Sequence, residues 1–221
     1  MNLVKSYEFF QPEKVKEPLH IIGCGSVGST VAENLARSGL TDFVLWDFDT
    51  VEEKNIVNQM FRSQDVGKSK VEALRDIISE INPDAAAKIK LMPEGWNGEL
   101  LDGYVFLAVD SIEIRKQIVQ TNNTNPNVVA MFDFRTALTF AQHYATDWAS
   151  YAGRKQLIES MDFSSEEVTE EVTACGTTLG VATTVRLISA LGVNNFINFV
   201  KGNELKKFVQ IDGFSFMLDA F

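Results

Sequence analysis

The order of apolar and polar positions along the chain predicts alternating strands and helices. The apolar run at 104–109 is uninterrupted, which is typical of a parallel strand buried on both faces. Apolar residues recur at helical spacing in three of the segments between such runs. The predicted strands are 19–23, 42–47, 87–91, 104–109 and 128–132, and the predicted helices are 26–38, 68–81 and 112–121. This alternation predicts a Rossmann-like, doubly wound α/β sheet that is mostly parallel.

The C-terminal part of the chain departs from this alternation. Residues 134–144 predict one or two strands, and the apolar stretch 176–200 predicts a long helix. Between them, the polar and acidic stretch 154–173 predicts a long exposed crossover loop with at most one helical turn. Asp212-Gly213 separates two further strand-like segments and is a strong hairpin signal. We therefore expect additional antiparallel strands at the C-terminal end.

A glycine-rich loop of the G-x-G-x-x-G type follows the first predicted strand. Gly23 allows a tight turn, Gly25 lets a pyrophosphate approach the backbone, and Gly28 lets the helix pack against the strand. The helix begins at Ser26 and Val27, whose free N–H groups and positive dipole end attract phosphate. The loop is therefore a predicted phosphate cradle.

A carboxylate follows the second predicted strand. Asp47 lies about 20 residues beyond the glycines, where dinucleotide-binding proteins hold the ribose hydroxyls. Asp47 could also do no more than end a strand, but the glycine loop favours ribose binding. Together they predict an adenine nucleotide and leave NAD and ATP as alternatives.

Several ordered motifs narrow this choice. Residues 47–59 contain D-x-D-x-V-x-x-x-N-x-x-x-Q, and a G-K-x-K segment at 67–70 leads into the second helix. Ile81-Asn82-Pro83 ends that helix, and Val109-Asp110 ends the fourth strand. These motifs resemble the ThiF/MoeB/HesA family, the bacterial relatives of ubiquitin-activating enzymes. The similarity covers residues 18–133, with a weaker match from Thr173 onward.

The resemblance implies a lead-in over 1–17, a nucleotide-binding domain over 18–221 and a homodimer. It also implies ATP-dependent adenylation of a carboxylate, the C-terminus of a small ubiquitin-like protein or peptide. Asp47 would bind the ribose, and Asn55 and Gln59 the phosphates or the reacting carboxylate. Lys70 would neutralise the phosphates, and Asp110 would hold Mg²⁺.

Some of these positions also have structural interpretations. Asp49 is as well explained by a helix N-cap as by nucleotide binding, and Asp110 could cap the helix that starts at Ser111. Lys70 could be an ordinary helix lysine, and Arg115 is expected in a surface or interhelix ion pair. Cys175 is a candidate nucleophile near a helix start, although a buried space-filling role is slightly favoured.

The chain also departs from the family pattern. Asn58 stands where the family has an arginine, which makes a non-catalytic nucleotide-binding or scaffold protein the main alternative. Lys54, Arg62 and Lys68 are candidate replacements for that charge. No C-x-x-C pair is present, so no zinc is expected. An NAD-dependent oxidoreductase is a third alternative, although no catalytic group for hydride transfer is evident.

Composition limits the partners. The formal net charge of −10 argues against nucleic acid or an anionic membrane as the main partner. Two cysteines and the absence of a secretory leader favour a reducing, cytoplasmic setting. No apolar stretch reaches the 18 residues typical of a membrane span.

Overall fold

The computed structural model describes residues 1–163 and 180–221. Strands and helices alternate over most of the first 136 residues, as the apolar pattern predicts, and β3 and β4 follow each other without an intervening helix. The strands are β1 (Leu19–Ile22), β2 (Phe43–Trp46), β3 (Lys90–Met92), β4 (Gly103–Leu107), β5 (Val128–Thr136), β6 (Phe140–Asp147), β7 (Phe208–Asp212) and β8 (Met217–Ala220). The α-helices are α1 (Ser26–Arg37), α2 (Lys70–Ile81), α3 (Ile112–Thr121), α4 (Tyr151–Glu159) and α5 (Ala182–Val200). Short 3-10 helices cover Pro12–Lys14, Glu53–Val57, Ser63–Asp65 and Pro83–Ala85.

All eight strands form one sheet, in the order β3-β2-β1-β4-β5-β6-β7-β8. The first five of these pair in parallel, and the last three are joined to the sheet by antiparallel pairings. The predicted fold class, a mostly parallel Rossmann-like sheet with antiparallel C-terminal strands, is confirmed. The chain moves outward from β1 to β3 and then returns to β4, so β1 and β4 flank a topological switch point. Ligands of open α/β sheets bind at the carboxyl ends of the strands at such a point.

Helices cover both faces of the sheet, which explains why the central strands are apolar throughout. Neighbouring residues of β1 point to opposite faces, and Ile21 and Ile22 accordingly lie in two different cores. The first core lies under α1, α2 and α5, and the second lies under α3 and α4. Phe10, from the predicted lead-in, is buried in the first core. No helix among the described residues is both long enough and apolar enough to span a membrane.

The sequence prediction of a crossover loop from residue 154 is wrong for its first part. Residues 151–159 form α4, which Ser150 begins by accepting a hydrogen bond at 3.1 Å from the backbone N–H of Gly153. Leu157 and Met161 are buried in the second core and hold the helix against the sheet. The rest of the predicted loop, from residue 164, lies outside the described residues.

The remaining C-terminal predictions are confirmed with shifted boundaries. The 134–144 segment contains the turn between β5 and β6, so it belongs to two strands. Asp212 ends β7, and its carboxylate accepts hydrogen bonds from the N–H groups of Phe214 and Ser215 at 3.0 and 3.2 Å. The predicted hairpin is therefore formed, with β8 as its second strand.

His143 links β6 to α5 on the face of the sheet that carries the first core. Its Nδ1 atom lies 3.1 Å from the carbonyl oxygen of Asp133, and its Nε2 atom lies 3.2 Å from the side-chain nitrogen of Asn195. Since the Asn195 nitrogen can only donate, Nε2 accepts and Nδ1 carries the proton. Burial lowers the pKa of His143 to about 4. The ring is therefore neutral at physiological pH, which agrees with a structural role.

This burial predicts acid sensitivity. Below about pH 6.5 the unfolded chain protonates this histidine, whereas the folded protein resists protonation down to about pH 4. The His143 contribution to stability is therefore lost as the pH falls through this window, by about 3 kcal/mol. Urea unfolding at several pH values should show a smaller decline for His143→Gln than for the unmodified chain. Equal declines for both proteins would contradict the prediction.

Candidate nucleotide-binding site

The glycine loop between β1 and α1 has a different physical reason at each glycine. Gly23 has a φ of +88°, and a Cβ atom there would lie 2.7 Å from the carbonyl carbon of Ala108. A Cβ atom on Gly28 would lie 1.8 Å from the carbonyl oxygen of Gly23. Gly25 faces open space, because no atom of the described chain lies within 4 Å of the corresponding position. Packing therefore requires glycine at positions 23 and 28, whereas Gly25 leaves room for a ligand.

Helix α1 points its N-terminus at this open space. Gly25 is the N-cap residue, and no side chain of the described residues caps this end. The first turn contains no acidic residue. The N–H groups and the positive dipole end of this 12-residue helix are therefore available to an anion, as the phosphate-cradle prediction requires.

Gly25 inside this loop and Gly28 at its end allow a paired prediction. Gly28→Ala should destabilise the fold by about 1–3 kcal/mol, because the new methyl group overlaps backbone atoms. Gly25→Ala should change the free energy of unfolding by less than about 0.5 kcal/mol. If the loop binds phosphate as predicted, Gly25→Ala should nevertheless weaken ATP binding by at least about tenfold, because the methyl group would fill the open space beside the α1 N-terminus. Urea unfolding and calorimetric ATP titration measure the two effects, and unchanged ATP affinity in Gly25→Ala would exclude phosphate at this point.

Asp47 joins the glycine loop to the end of β2. Its two carboxylate oxygens accept hydrogen bonds from the N–H of Cys24 at 2.7 Å and from the N–H of Asp49 at 2.9 Å. Burial raises the pKa of Asp47 above its ordinary value, although these donors and the nearby Lys70 charge oppose the shift. Each oxygen can accept a further hydrogen bond. The carboxylate therefore orients the loop and retains acceptor capacity for a ribose hydroxyl.

Lys70 brings the predicted acidic residues together. Its ammonium group is buried and donates to Asp49 at 2.7 Å. Burial by itself lowers the pKa of Lys70, but the Asp49 hydrogen bond and the charges of Asp47, Asp49 and Asp110 outweigh it and leave the pKa raised. Lys70, on the first turn of α2, is thus paired with a carboxylate that follows β2 and also interacts with the charge of Asp110, which follows β4. It is charged, and its charge also interacts with that of Asp47, which binds the glycine loop.

Asp110 follows β4 and is exposed at the carboxyl end of the sheet. It is not the cap of α3. Ser111 is the N-cap residue, and its hydroxyl accepts a hydrogen bond at 3.2 Å from the N–H of Ile114. The structural alternative for Asp110 is therefore wrong. The described residues contain no cluster of three or more His, Cys, Asp or Glu that could hold a metal. A lone carboxylate suits Mg²⁺, which takes its other ligands from phosphates and water.

Asn55 lies within the 3-10 helix Glu53–Val57, and Gln59 lies two residues after its end. The Asn55 side-chain oxygen accepts a hydrogen bond at 2.8 Å from the N–H of Glu52, so Asn55 stabilises the start of this helix. The Gln59 side-chain oxygen is buried and has no hydrogen-bond partner among the residues that the structure describes. Because an unpaired buried oxygen is costly, Gln59 is the position of the two with unused capacity for a ligand.

Arg115 differs from its sequence prediction. It is buried, donates to the carbonyl oxygen of Leu107 at 3.2 Å, and forms an ion pair with Asp133 in β5. Arg135 binds the same carboxylate at 2.7 Å. The expected surface or interhelix pair is instead a buried helix-to-strand pair. It fixes the carboxyl end of β4, from which Asp110 follows.

The structure describes one of the two cysteines, Cys24. The Cys24 thiol is fully buried, and its burial raises its pKa well above the ordinary value. A thiol of this kind fills space and is a poor nucleophile. Cys175, the predicted nucleophile candidate, lies outside the described residues.

Known proteins resemble this chain in sequence and in fold. It is 30% identical over 141 residues to ubiquitin-like modifier-activating enzyme 5 of Drosophila ananassae, across 64% of this chain and 34% of that protein. The solved structure of E. coli MccB with MccA-N7isoASN has a TM-score of 0.74 at 16% identity, covering 95% of this chain and 66% of that one. The structure of E. coli MccB with ATP has a TM-score of 0.71 at 18% identity, covering 95% and 65%.

These matches agree on one family. The chain spans between 20% and 34% of the length of the curated relatives that it matches, whereas it aligns with the solved structures over nearly its whole length. The family model of the ThiF family matches residues 15–221, and the chain therefore belongs to the ThiF family.

Proposed function

We propose that this protein uses ATP to adenylate a carboxylate at the C-terminus of a small ubiquitin-like protein or peptide. The observation that carries the proposal is the placement of the Lys70–Asp49 ion pair and of Asp47 beside the N-terminus of α1, which no side chain of the described residues caps. Asp110, whose charge also interacts with Lys70, follows the adjacent strand β4. This is the arrangement of positive dipole, fixed cation and acidic groups that a metal-bound triphosphate needs. It lies at the switch point of the sheet, where ligands of this architecture bind.

The reaction suits these residues because it needs no strong base. The substrate carboxylate is already ionised, and one of its oxygens attacks the α-phosphorus. A new P–O bond forms, the bond to the bridging oxygen of the β-phosphate breaks, and pyrophosphate leaves with that electron pair. The protein has to position the reactants and stabilise negative charge on the phosphates. Lys70 and the α1 N-terminus would supply that stabilisation.

The remaining residues would orient the nucleotide and its metal. Asp47 would accept hydrogen bonds from the ribose hydroxyls, and Gln59 would use its free oxygen and its amide N–H groups on the substrate or phosphates. Asp110 would hold Mg²⁺, which supplies charge neutralisation on the leaving pyrophosphate. Asn55 would act through the backbone turn that places Gln59, since its own oxygen is engaged.

The substrate class and the assembly state belong to this proposal. A ubiquitin-like substrate is supported by the relative in D. ananassae, which is named as an activating enzyme for such modifiers. A peptide substrate is supported by the E. coli MccB structure, which contains MccA-N7isoASN. We further propose a homodimer, as the resemblance to the family implies.

Asn58 favours a second candidate, a nucleotide-binding member without turnover. A Cβ atom added to Gly180 would lie 2.7 Å from the Asn58 side-chain nitrogen, so this neutral amide points toward the segment that leads into α5. An amide at this position cannot supply the charge of the family arginine. Such a protein would bind ATP and release no pyrophosphate.

ATP–pyrophosphate exchange separates the two candidates. Radiolabelled pyrophosphate should enter ATP only when Mg²⁺ and a protein or peptide with a free C-terminal carboxylate are present. The same substrate with an amidated C-terminus is the matched control, because it cannot attack phosphorus. Exchange with the free acid alone supports adenylation. ATP binding without exchange for a panel of ubiquitin-like proteins and peptides supports the second candidate.

A further inference from the structure

The side chains at the candidate site carry too little positive charge for a nucleoside triphosphate. Lys70 forms an ion pair with Asp49 at 2.7 Å, and the Asp47 carboxylate binds the glycine loop next to it. Asp110 follows the neighbouring strand β4, so this end of the sheet carries three carboxylates and one buried ammonium group. An ATP molecule would add several negative charges at the same place. Mg²⁺ on Asp110 would offset part of this charge, and a further cation would stabilise the rest. The inference below rests on the proposed ATP site.

The three cations that the sequence suggests are already paired. Lys54 lies 3.1 Å from Glu52. Arg62 and Lys68 share the buried carboxylate of Asp65, at 3.1 and 3.2 Å. Two further carboxylates complete this network, Glu80 on Arg62 and Asp76 on Lys68. Moving any of these cations to a phosphate would break an ion pair. Moving Arg62 or Lys68 would also take one of its two cationic partners from the buried Asp65 carboxylate.

Arg186 on α5 is different. It is exposed, and its only hydrogen bond within the described chain joins Nη1 to the thioether sulfur of Met60 at 3.6 Å. No carboxylate of the described residues forms an ion pair with it. A thioether is a weak acceptor, so the donors of this guanidinium are still available for a stronger one.

Two hydrogen bonds place Arg186 at the edge of the sheet that carries the glycine loop. The N–H of Met60 donates to the hydroxyl of Ser29, on the first turns of α1, at 3.2 Å. The hydroxyl of Thr184 donates to the carbonyl oxygen of Leu138, beyond the carboxyl end of β5, at 3.0 Å. The start of α5 therefore lies at the same edge of the sheet as the glycine loop. Met60 also directly follows Gln59, whose side-chain oxygen has no partner within 1–163 and 180–221.

We propose that Arg186 is a phosphate-binding residue, and that its guanidinium leaves Met60 to bind the triphosphate of ATP. A planar guanidinium can give two parallel N–H bonds to phosphate oxygens, which a point charge cannot do. It would supply from α5 the charge that Asn58 does not supply from the neighbouring 3-10 helix.

Calorimetric titration of the full chain tests this assignment, with Mg-ATP and adenosine as probes. Arg186→Gln should weaken ATP binding by about tenfold to a hundredfold, the usual effect of hydrogen bonds to a charged group. Adenosine affinity should be unchanged, since adenosine has no phosphate. Arg186→Lys should recover part of the loss. Arg37→Gln, which removes an exposed arginine from the opposite end of α1, is the matched control and should bind ATP normally.

The outcomes separate this inference from the proposed function. If the unmodified chain binds ATP and Arg186→Gln binds it equally well, the Arg186 assignment is wrong and the ATP site stands. An equal loss for ATP and adenosine would also overturn the assignment, because it would indicate a distorted site. If the unmodified chain does not bind ATP, both proposals fall together. Thermal unfolding should show no change in Arg186→Gln, since the side chain is exposed and its one hydrogen bond within the described chain is to a weak acceptor.

Discussion

Lys70→Ala is expected to lower ATP–pyrophosphate exchange by about a thousandfold, the largest effect that we predict for this protein. Lys70 is the cation within the cluster formed with Asp47, Asp49 and Asp110. Its removal leaves those carboxylates facing the phosphates, so attraction turns into repulsion at the place where charge develops. The loss should therefore appear in the rate at saturating ATP as well as in the ATP affinity.

Lys68→Ala is the matched control for this variant. Lys68 lies two positions earlier and also forms ion pairs, but its partners are Asp65 and Asp76, outside the cluster. We expect exchange within about twofold of the unmodified chain, with some loss of stability because Asp65 is buried. If Lys68→Ala reduces exchange as much as Lys70→Ala, the effect is a general consequence of altered charge and our interpretation of Lys70 is wrong.

Asp110→Asn should lower exchange by about a hundredfold to a thousandfold at a fixed, moderate Mg²⁺ concentration. The substitution keeps the shape of the side chain and removes the charge that would hold Mg²⁺. Because Asp110 is exposed and does not cap α3, the free energy of unfolding should remain within about 0.5 kcal/mol of its original value. Raising the Mg²⁺ concentration should restore part of the exchange.

The neighbouring residue, Ser111, should show the opposite effects on stability and on exchange. Ser111 caps α3, so Ser111→Ala should cost about 1 kcal/mol of stability and leave exchange nearly unchanged. Urea unfolding and exchange assays on both variants test the pair. A stability loss in Asp110→Asn without an exchange defect would assign Asp110 a structural role and exclude it as the metal residue.

The sequence predicted most of the fold because its signals are local. The spacing of Val27, Val31 and Leu35 follows the helical period, and the unbroken run of β4 follows from burial on both faces. Helix α4 was missed for the same reason. Gly153 and Leu157 are its buried residues, and one large apolar side chain is too few for the helical periodicity to stand out from a polar surrounding.

The candidate site was predicted in part. The glycine loop and Asp47 are recognisable because the spacing of one strand-turn-helix-strand unit fixes their separation. The cap formed by Asn55, the unpaired oxygen of Gln59 and the position of Arg186 are not recognisable in this way. Each depends on which atoms are adjacent after folding, and Arg186 follows Met60 by 126 residues. The sequence signal for Arg186 is weak, a single arginine in an apolar helix.

The sequence by itself determined the architecture and the location of the candidate nucleotide site, since local periodicity sets each element and parallel strands bring their carboxyl ends to one edge. The tertiary structure decided the electrostatics of that edge. Lys70 could pair with any of several acidic residues along the chain, and packing of α2 against β2 selected Asp49, with Asp47 and Asp110 close enough to act on the same charge. Such partners are separated by many residues, and only the packing of whole elements brings them together.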